Sequence, residues 1–217
     1  MSEIVSIERD GAAAARAALE RTIATGGVAV FPADGLYGLA CDPLDAAAIA
    51  RIHRIKGRDD GKPSAVMYLS PLALRELVAG LGPRTRRAVA ELLPGPVTLV
   101  IANPKGRYPL ACREDAARLG IRLIGGPLEG AMCPLFQTSA NLSGEPAPGS
   151  FADVPAEIVA AVDLAIDGGE LTGKPSTVID LTRFDADREW TVLREGGLPS
   201  GQLAARLAGI RQTDQAS

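Results

Sequence analysis

The spacing of apolar residues along the chain sets out its expected elements before any motif is considered. Residues 12–24 read as an alanine-rich helix, stopped by Gly26-Gly27. Val28-Ala29-Val30-Phe31 follows as a short buried strand, broken by Pro32. A second helix is expected over 45–56, with Ile49, Ile52 and His53 on one face. Residues 65–69 read as a strand, and 71–78 and 83–93 as helices, the second ended by Pro94-Gly95-Pro96. Strands are expected at 97–102, 120–123, 164–166, 177–181 and 190–193, with helices over 156–162 and 201–207. Interspersed helices and strands with no internal repeat predict an α/β fold: a single domain with a twisted mixed sheet flanked by helices. The domain is expected to span 1–211, leaving 212–217 as a polar, frayed tail.

Composition narrows the function classes. At 217 residues and 47% hydrophobic, the chain can build one substantial core. A net charge of −3 gives no global attraction to nucleic acid, so any anion site must be a local cluster of Lys and Arg. The start carries no basic segment followed by an apolar one, and no apolar run reaches membrane-spanning length, so a cytoplasmic protein without membrane contact is expected. Cys41, Cys112 and Cys133 are far apart and odd in number, which predicts free thiols.

Several stretches could carry chemistry. In Lys56-Gly57-Arg58-Asp59-Asp60-Gly61-Lys62-Pro63, Gly57 is placed as the left-handed residue that ends a helix, with Lys56 in its last turn. A point-charge Lys and a forked Arg58 beside a Gly-rich turn suit a polyphosphate, although cations also suit a solvated helix C-terminus. Thr138-Ser139-Ala140-Asn141-Leu142-Ser143-Gly144 delivers hydroxyls and an amide into a Gly-ended turn, which suits an anion or a sugar, or a turn that bonds itself. Residues 168–176 nearly match a P-loop, but Pro175 stands where the magnesium-binding Ser or Thr belongs and a strand, not a helix, is expected next. The only histidine, His53, reads as a packed or surface residue, with no nucleophile elbow to complete a triad. Aromatic residues, at 4%, offer no base-stacking platform.

Taken in order, these segments resemble the YrdC-like family. Pro32-Ala33-Asp34-Gly35-Leu36-Tyr37-Gly38-Leu39 is similar to its Pro-Thr-Asp-Thr-Val-Tyr-Gly-Leu signature, and Lys56-Gly57-Arg58 with Lys62-Pro63 to its Lys-x-Arg…Lys-Pro segment. Pro94-Gly95-Pro96-Val97-Thr98-Leu99, Ile121-Arg122-Leu123, the Ser139–Gly144 turn, Ser176-Thr177-Val178-Ile179-Asp180 and Leu193-Arg194-Glu195-Gly196 follow in the family's order, covering about 12–208. The resemblance implies a YrdC-like fold and a nucleotidyltransferase that makes threonylcarbamoyl-AMP and pyrophosphate from L-threonine, bicarbonate and ATP. A separate tRNA-modifying transferase complex would use the adenylate to form threonylcarbamoyladenosine. It also implies that Lys56, Arg58, Ser139 and Asn141 hold the nucleotide with Arg194 near it, that Arg122 grips the amino-acid carboxylate, and that Tyr37 and Thr177 line that end. Magnesium would accompany the ATP, and no covalent nucleophile is needed.

The chain departs from the family's pattern at Ala33 and Gly35, each usually Thr, and at Met67, where His is common. Leu123-Ile124 follows Arg122 in place of the usual apolar-Pro pair, and Ala147-Pro148-Gly149 replaces Ser-Pro-Thr. Longer members carry a second C-terminal domain that this sequence does not include. Two other readings stay open: a paralogue acting on another small substrate, and a module binding double-stranded RNA through Arg51, Arg54, Lys56, Arg58 and Lys62.

Overall fold

Helices begin and end where the sequence supplies caps. The computed structural model describes residues 2–57 and 63–213. The helices are α1 (Ile7–Asp10), α2 (Ala12–Ala24), α3 (Ala46–Ile55), α4 (Pro71–Ala79), α5 (Pro83–Leu92), α6 (Pro109–Cys112), α7 (Ala156–Ala161), α8 (Phe184–Asp187) and α9 (Ser200–Thr213). Asp45 starts α3 by accepting hydrogen bonds from the Ala47 and Ala48 N–H groups at 2.8 and 3.0 Å, and Gly57 follows its end at φ +81°. Ser70 caps α4 through the Leu72 N–H, with Pro71 just inside. Gly82 has no capping side chain, so α5 takes its cap from elsewhere. The Asp185 carboxylate of α8 accepts from the Arg84 N–H at 2.9 Å and from the Thr85 hydroxyl.

The strands are β1 (Glu3–Ser6), β2 (Ala29–Pro32), β3 (Tyr37–Cys41), β4 (Ala65–Tyr68), β5 (Val97–Ala102), β6 (Arg118–Leu123), β7 (Leu135–Ser139), β8 (Leu164–Asp167), β9 (Thr177–Asp180) and β10 (Thr191–Arg194). Among the described residues they form one ten-stranded mixed sheet in the order β1-β8-β2-β3-β7-β4-β6-β5-β9-β10. Parallel pairs (β1 with β8, β8 with β2, β4 with β6, β5 with β9) are interleaved with antiparallel ones.

Several boundaries differ from the sequence expectation. Pro32 ends β2 inside the ladder instead of breaking it. Leu135-Phe136 is no mere approach to a turn: β7 runs through Ser139, so Thr138 and Ser139 are strand residues. β6 begins at Arg118, two residues before the expected start, and α9 runs well past 207 to Thr213. The tail residues 214–217 lie outside the described residues. β1, β3 and the four-residue helices α1, α6 and α8 have no counterpart in the expected pattern.

Alternation along the strands splits the core between two faces. Val30, Leu39, Val66, Tyr68, Phe136 and Leu99 join a cluster that includes Ile49 and Ile52 of α3, Leu92 of α5 and Leu203 of α9. Ala29, Phe31, Ala40, Met67, Leu135 and Ile166 face the other way, in a cluster with Ala15, Ala18, Leu19 and Ile23 of α2. Because α2 packs on β1, β8 and β2, it covers only one half of that second face. The remainder, over β7, β4, β6, β5 and β9, carries the site.

Asp163, just before β8, joins three parts of the fold: its carboxylate accepts from the Val28 N–H at 2.8 Å and from Arg51 at 2.5 Å. Burial alone would raise its pKa, but Arg51 and the Val28 N–H outweigh that and hold the carboxyl below the usual range. A depressed native pKa gives stability that is complete above the unfolded value of about 3.9 and is lost as pH falls through the native one. Because the pair is partly exposed and screened, Asp163→Ala is expected to cost on the order of 1 kcal/mol at pH 7. Thermal melts of wild type and variant at pH 7 and pH 3 check this. The gap should narrow at pH 3, and a gap of unchanged width would refute the role given to this carboxylate.

Candidate active site

On the open half of the sheet, side chains two residues apart line a cavity of about 680 Å³. Its floor comes from Ala65 of β4, Gly120 and Arg122 of β6, Thr98 and Val100 of β5, Val178 of β9, and Gln137 and Ser139 of β7. The register puts these on one face: Met67 lies opposite Arg122, Val100 opposite Gly120, and Thr98 opposite Val178. The size falls within the range of about 300–1,000 Å³ typical of small-molecule sites. Lys56, Arg118, Arg122, Lys174 and Arg194 line it, against the carboxylate of Asp115. A chain of net negative charge therefore concentrates cations at one concavity, which attracts anions.

Arg122 is the deepest of these charges, with 6% of its surface exposed. Its only ion pair among the described residues runs from Nη2 to Asp34 Oδ2 at a long 3.4 Å, and its buried Nε has no acceptor. Burial pulls the guanidinium pKa down to about 10; Asp34 offsets this in part and Arg194 adds to it. It thus stays charged at neutral pH, with a donor left to satisfy. Asp34 reaches it from a backbone with φ +77°, a conformation a non-glycine residue holds only when its surroundings enforce it.

Beside Arg122, the hydroxyls of Thr98 and Ser176 lie 2.8 Å apart. Arg194 donates to the Ser176 carbonyl at 2.8 Å through Nη2, which also reaches the Ser176 hydroxyl at 3.2 Å. Only one of the two hydroxyl protons can serve the bond between Thr98 and Ser176, which leaves the other for a ligand.

At the opposite pole, α3 delivers Lys56 to the end of β7. Its ammonium donates to the Ser139 carbonyl at 2.6 Å, the Asn141 carbonyl at 2.8 Å and Asn141 Oδ1 at 3.3 Å. Asn141 Oδ1 also accepts from the Ser139 hydroxyl, and its Nδ2 donates to the Leu142 and Glu145 carbonyls at 2.8 Å each. Lys56, Ser139 and Asn141 thus form one hydrogen-bonded unit, with Lys56 and Ser139 on the cavity wall. The ammonium acts as a fixed charge whose position is set by the turn.

The other residues singled out by sequence fall as follows. Arg58 and Lys62 lie outside the described residues. Tyr37 lines the cavity, but its hydroxyl is held by the Gly169 carbonyl and the Gly168 N–H, both at 2.9 Å. Thr177 is fully buried, and its hydroxyl donates to the Leu198 carbonyl at 2.6 Å. It pairs with Val97 on the core face, so its neighbour Ser176 takes the cavity position. Arg51 is bound to Asp163 and the Ala161 carbonyl, away from the wall. Sequence reasoning missed Thr98, Arg118, Gln137, Lys174 and Ser176, and it placed His53 among packed or surface residues. His53 is indeed packed, its ring edge-on to Phe136 with centroids 6.1 Å apart, and from there it also reaches the cavity one turn before Lys56. Its Nε2 lies 2.6 Å from Arg113 Nη2; since a guanidinium only donates, that nitrogen accepts. Counting back from Arg122 in steps of two would have found Arg118.

All three cysteines are free thiols. Cys112 touches the cavity, but burial raises its pKa, the opposite of what a nucleophilic thiol requires. What the site offers is fixed cations, N–H groups and hydroxyls, suited to holding anions and stabilising charge.

Comparison with known proteins adds an independent line. A family profile, Sua5_yciO_yrdC, described as "Telomere recombination", matches residues 21–196. A threonylcarbamoyl-AMP synthase of Pyrococcus abyssi is 32% identical over 200 residues, covering 87% of this chain and 56% of that protein, so the chain spans little more than half of that relative. One of the same name from Chromohalobacter salexigens is 37% identical over 179 residues, covering 79% of this chain and 93% of the relative. The crystal structure of P. abyssi Sua5 complexed with L-threonine superposes with a TM-score of 0.76 at 28% identity, over 95% of this chain and 60% of that one.

Since Asn141 commits both ends of its amide to the turn that fixes Lys56, its removal should act on fold and site together. Asn141→Ala is expected to destabilise the protein by about 1–3 kcal/mol, the usual cost of leaving buried polar partners unsatisfied. It should also weaken binding of an anionic probe such as inorganic pyrophosphate. A thermal melt and a calorimetric titration read the two effects; a variant with unchanged melting and unchanged affinity would show that the turn needs no amide.

Proposed function

The chain belongs to the Sua5/YciO/YrdC family, and from that premise and the chemistry of its cavity we propose that it makes threonylcarbamoyl-AMP and pyrophosphate from L-threonine, bicarbonate and ATP. The observation that carries this reading is Arg122. A buried guanidinium with an unsatisfied Nε, at the floor of a cavity ringed by further cations, suits a small carboxylate held next to a polyanion.

In this reading the amino acid's carboxylate docks on Arg122, with the spare proton of the Thr98–Ser176 pair beside it. The amine condenses with bicarbonate, forming an N–C bond and releasing water, to give a carbamate. A carbamate oxygen then attacks the α-phosphorus of ATP. The new O–P bond replaces the bond between the α- and β-phosphates, and pyrophosphate departs. Lys56, held by Ser139 and Asn141, and Arg194 provide fixed positive charge for the nucleotide; Arg58 is given the same role from its place in the sequence motif. No protein nucleophile takes part. Catalysis rests on holding two anions at bonding distance and neutralising charge as it moves to the leaving group.

Magnesium enters this proposal with the nucleotide. Among the described residues no three His, Cys, Asp or Glu side chains form a cluster able to hold a metal. In this proposal the ion is carried on phosphate oxygens and water, the usual state of magnesium with ATP. The adenylate would pass to a transferase that modifies an adenosine of tRNA. No helix among the described residues is long and apolar enough to cross a membrane.

The test is pyrophosphate release with ATP, bicarbonate and each amino acid in turn; threonine should support turnover, and release with a different amino acid only would replace it as substrate. Arg122→Ala should weaken threonine saturation by about 10–100-fold, the range for a lost charge-assisted contact, while binding of an ATP analogue changes little. Threonine saturation unaltered in that variant would remove Arg122 from the carboxylate site.

A further inference from the structure

Of the near-P-loop stretch only Ser176 enters this chemistry, yet the lysine two residues before it also lies on the cavity wall. The other cations there are already engaged: Lys56 by the Ser139–Asn141 turn, Arg118 by Asp180, Arg122 by Asp34, and Arg194 by Ser176. Lys174 lines the same wall, and among the described residues its ammonium has no hydrogen bond or ion pair.

Its backbone is fixed even though its side chain is exposed. The Gly173 N–H donates to the Gly35 carbonyl at 2.9 Å, and the Gly197 N–H to the Pro175 carbonyl at 2.8 Å, so the chain is pinned on both sides of Lys174. The Lys174 carbonyl packs so closely on Gly35 that a Cβ there would stand 2.0 Å from it. Gly173, at φ +71°, makes the bend that brings the lysine over the signature segment.

We infer that Lys174 is the cavity's adaptable cation, a binding residue for the terminal phosphates of the nucleotide and the pyrophosphate that leaves. A lysine is well matched to that role, since its ammonium is a point charge on a flexible stem and can follow a leaving group as it moves, which a guanidinium anchored to a carbonyl cannot. No P-loop is involved, because β9, and not a helix, follows the stretch. This inference rests on the reading of the cavity as the nucleotide site, and its test separates the two.

Inorganic pyrophosphate is titrated calorimetrically, at constant ionic strength, into wild type, Lys174→Ala, Lys174→Arg and, as a control for lost surface charge, Lys105→Ala. Turnover is measured alongside, and melts verify folding. Lys174→Ala should weaken pyrophosphate binding by about tenfold or more and raise the KM for ATP, leaving the KM for threonine unchanged. Lys174→Arg should keep most of the affinity, and Lys105→Ala all of it. Equal pyrophosphate affinity in wild type and Lys174→Ala overturns the role of Lys174, even if threonine-dependent turnover stands. Loss of affinity in Lys174→Ala from a protein without such turnover overturns the proposed reaction and keeps the lysine as a polyphosphate ligand. A wild type that binds no pyrophosphate overturns the inference outright.

Discussion

A guanidinium buried in the middle of a sheet is the constraint around which this structure is arranged. Removing a charge from water costs several kcal/mol even after relaxation, and only close partners offset that cost. Among the described residues Arg122 has one loose ion pair, and its buried Nε has no acceptor, so the penalty is only partly offset. The surroundings follow from this. Asp34 adopts a left-handed backbone to reach Arg122, and the floor beside it is small and open, with Gly120 and Ala65. A carboxylate from outside would complete the set. The same residue therefore lowers the stability of the empty fold and supplies binding energy for an anion.

The second pole follows the opposite strategy. Lys56, Ser139 and Asn141 satisfy one another almost completely, so their geometry is set before any ligand arrives. Preorganised charge is worth more than charge that must be gathered during a reaction, because no reorganisation remains to be done when the transition state forms. One pole that is unsatisfied and one that is rigid make an asymmetric site: in the proposed reaction the first would select an anion and the second would meet developing charge.

Much of the fold is legible in the sequence where local chemistry dictates structure. The glycine ending α3 and the full span of β5 follow from residue type and spacing. β3 is hidden because Tyr37 to Cys41 is buried on both faces and shows no alternation. The choice between Ser176 and Thr177 is hidden for a related reason. Adjacent hydroxyls on a strand point to opposite faces, and which one meets the cavity depends on pairing with β5, a contact between residues far apart in sequence. Arg122 and Lys56 can be found because each belongs to a short ordered motif. Lys174 sits in a stretch that only imitates a P-loop, and its place on the wall depends on a loop packing against Gly35.

The departures from the family's pattern take on a physical meaning in this packing. Met67 is fully buried and sits opposite Arg122 in the ladder, but it joins the apolar cluster shared with α2 and so belongs to the core. Gly35 cannot carry a side chain while the 172–175 segment keeps its path, because the Lys174 carbonyl occupies the space. A threonine at that position would have to displace the segment that brings Lys174 to the wall. Glycine at 35 and the backbone path of the 172–175 segment are thus two sides of one contact, which any residue at 174 would make through its carbonyl. Ala33, like Gly35, is buried and lines the cavity, but it already carries a side chain there, so of the three it is the position where a hydroxyl would face the cavity without displacing the 172–175 segment.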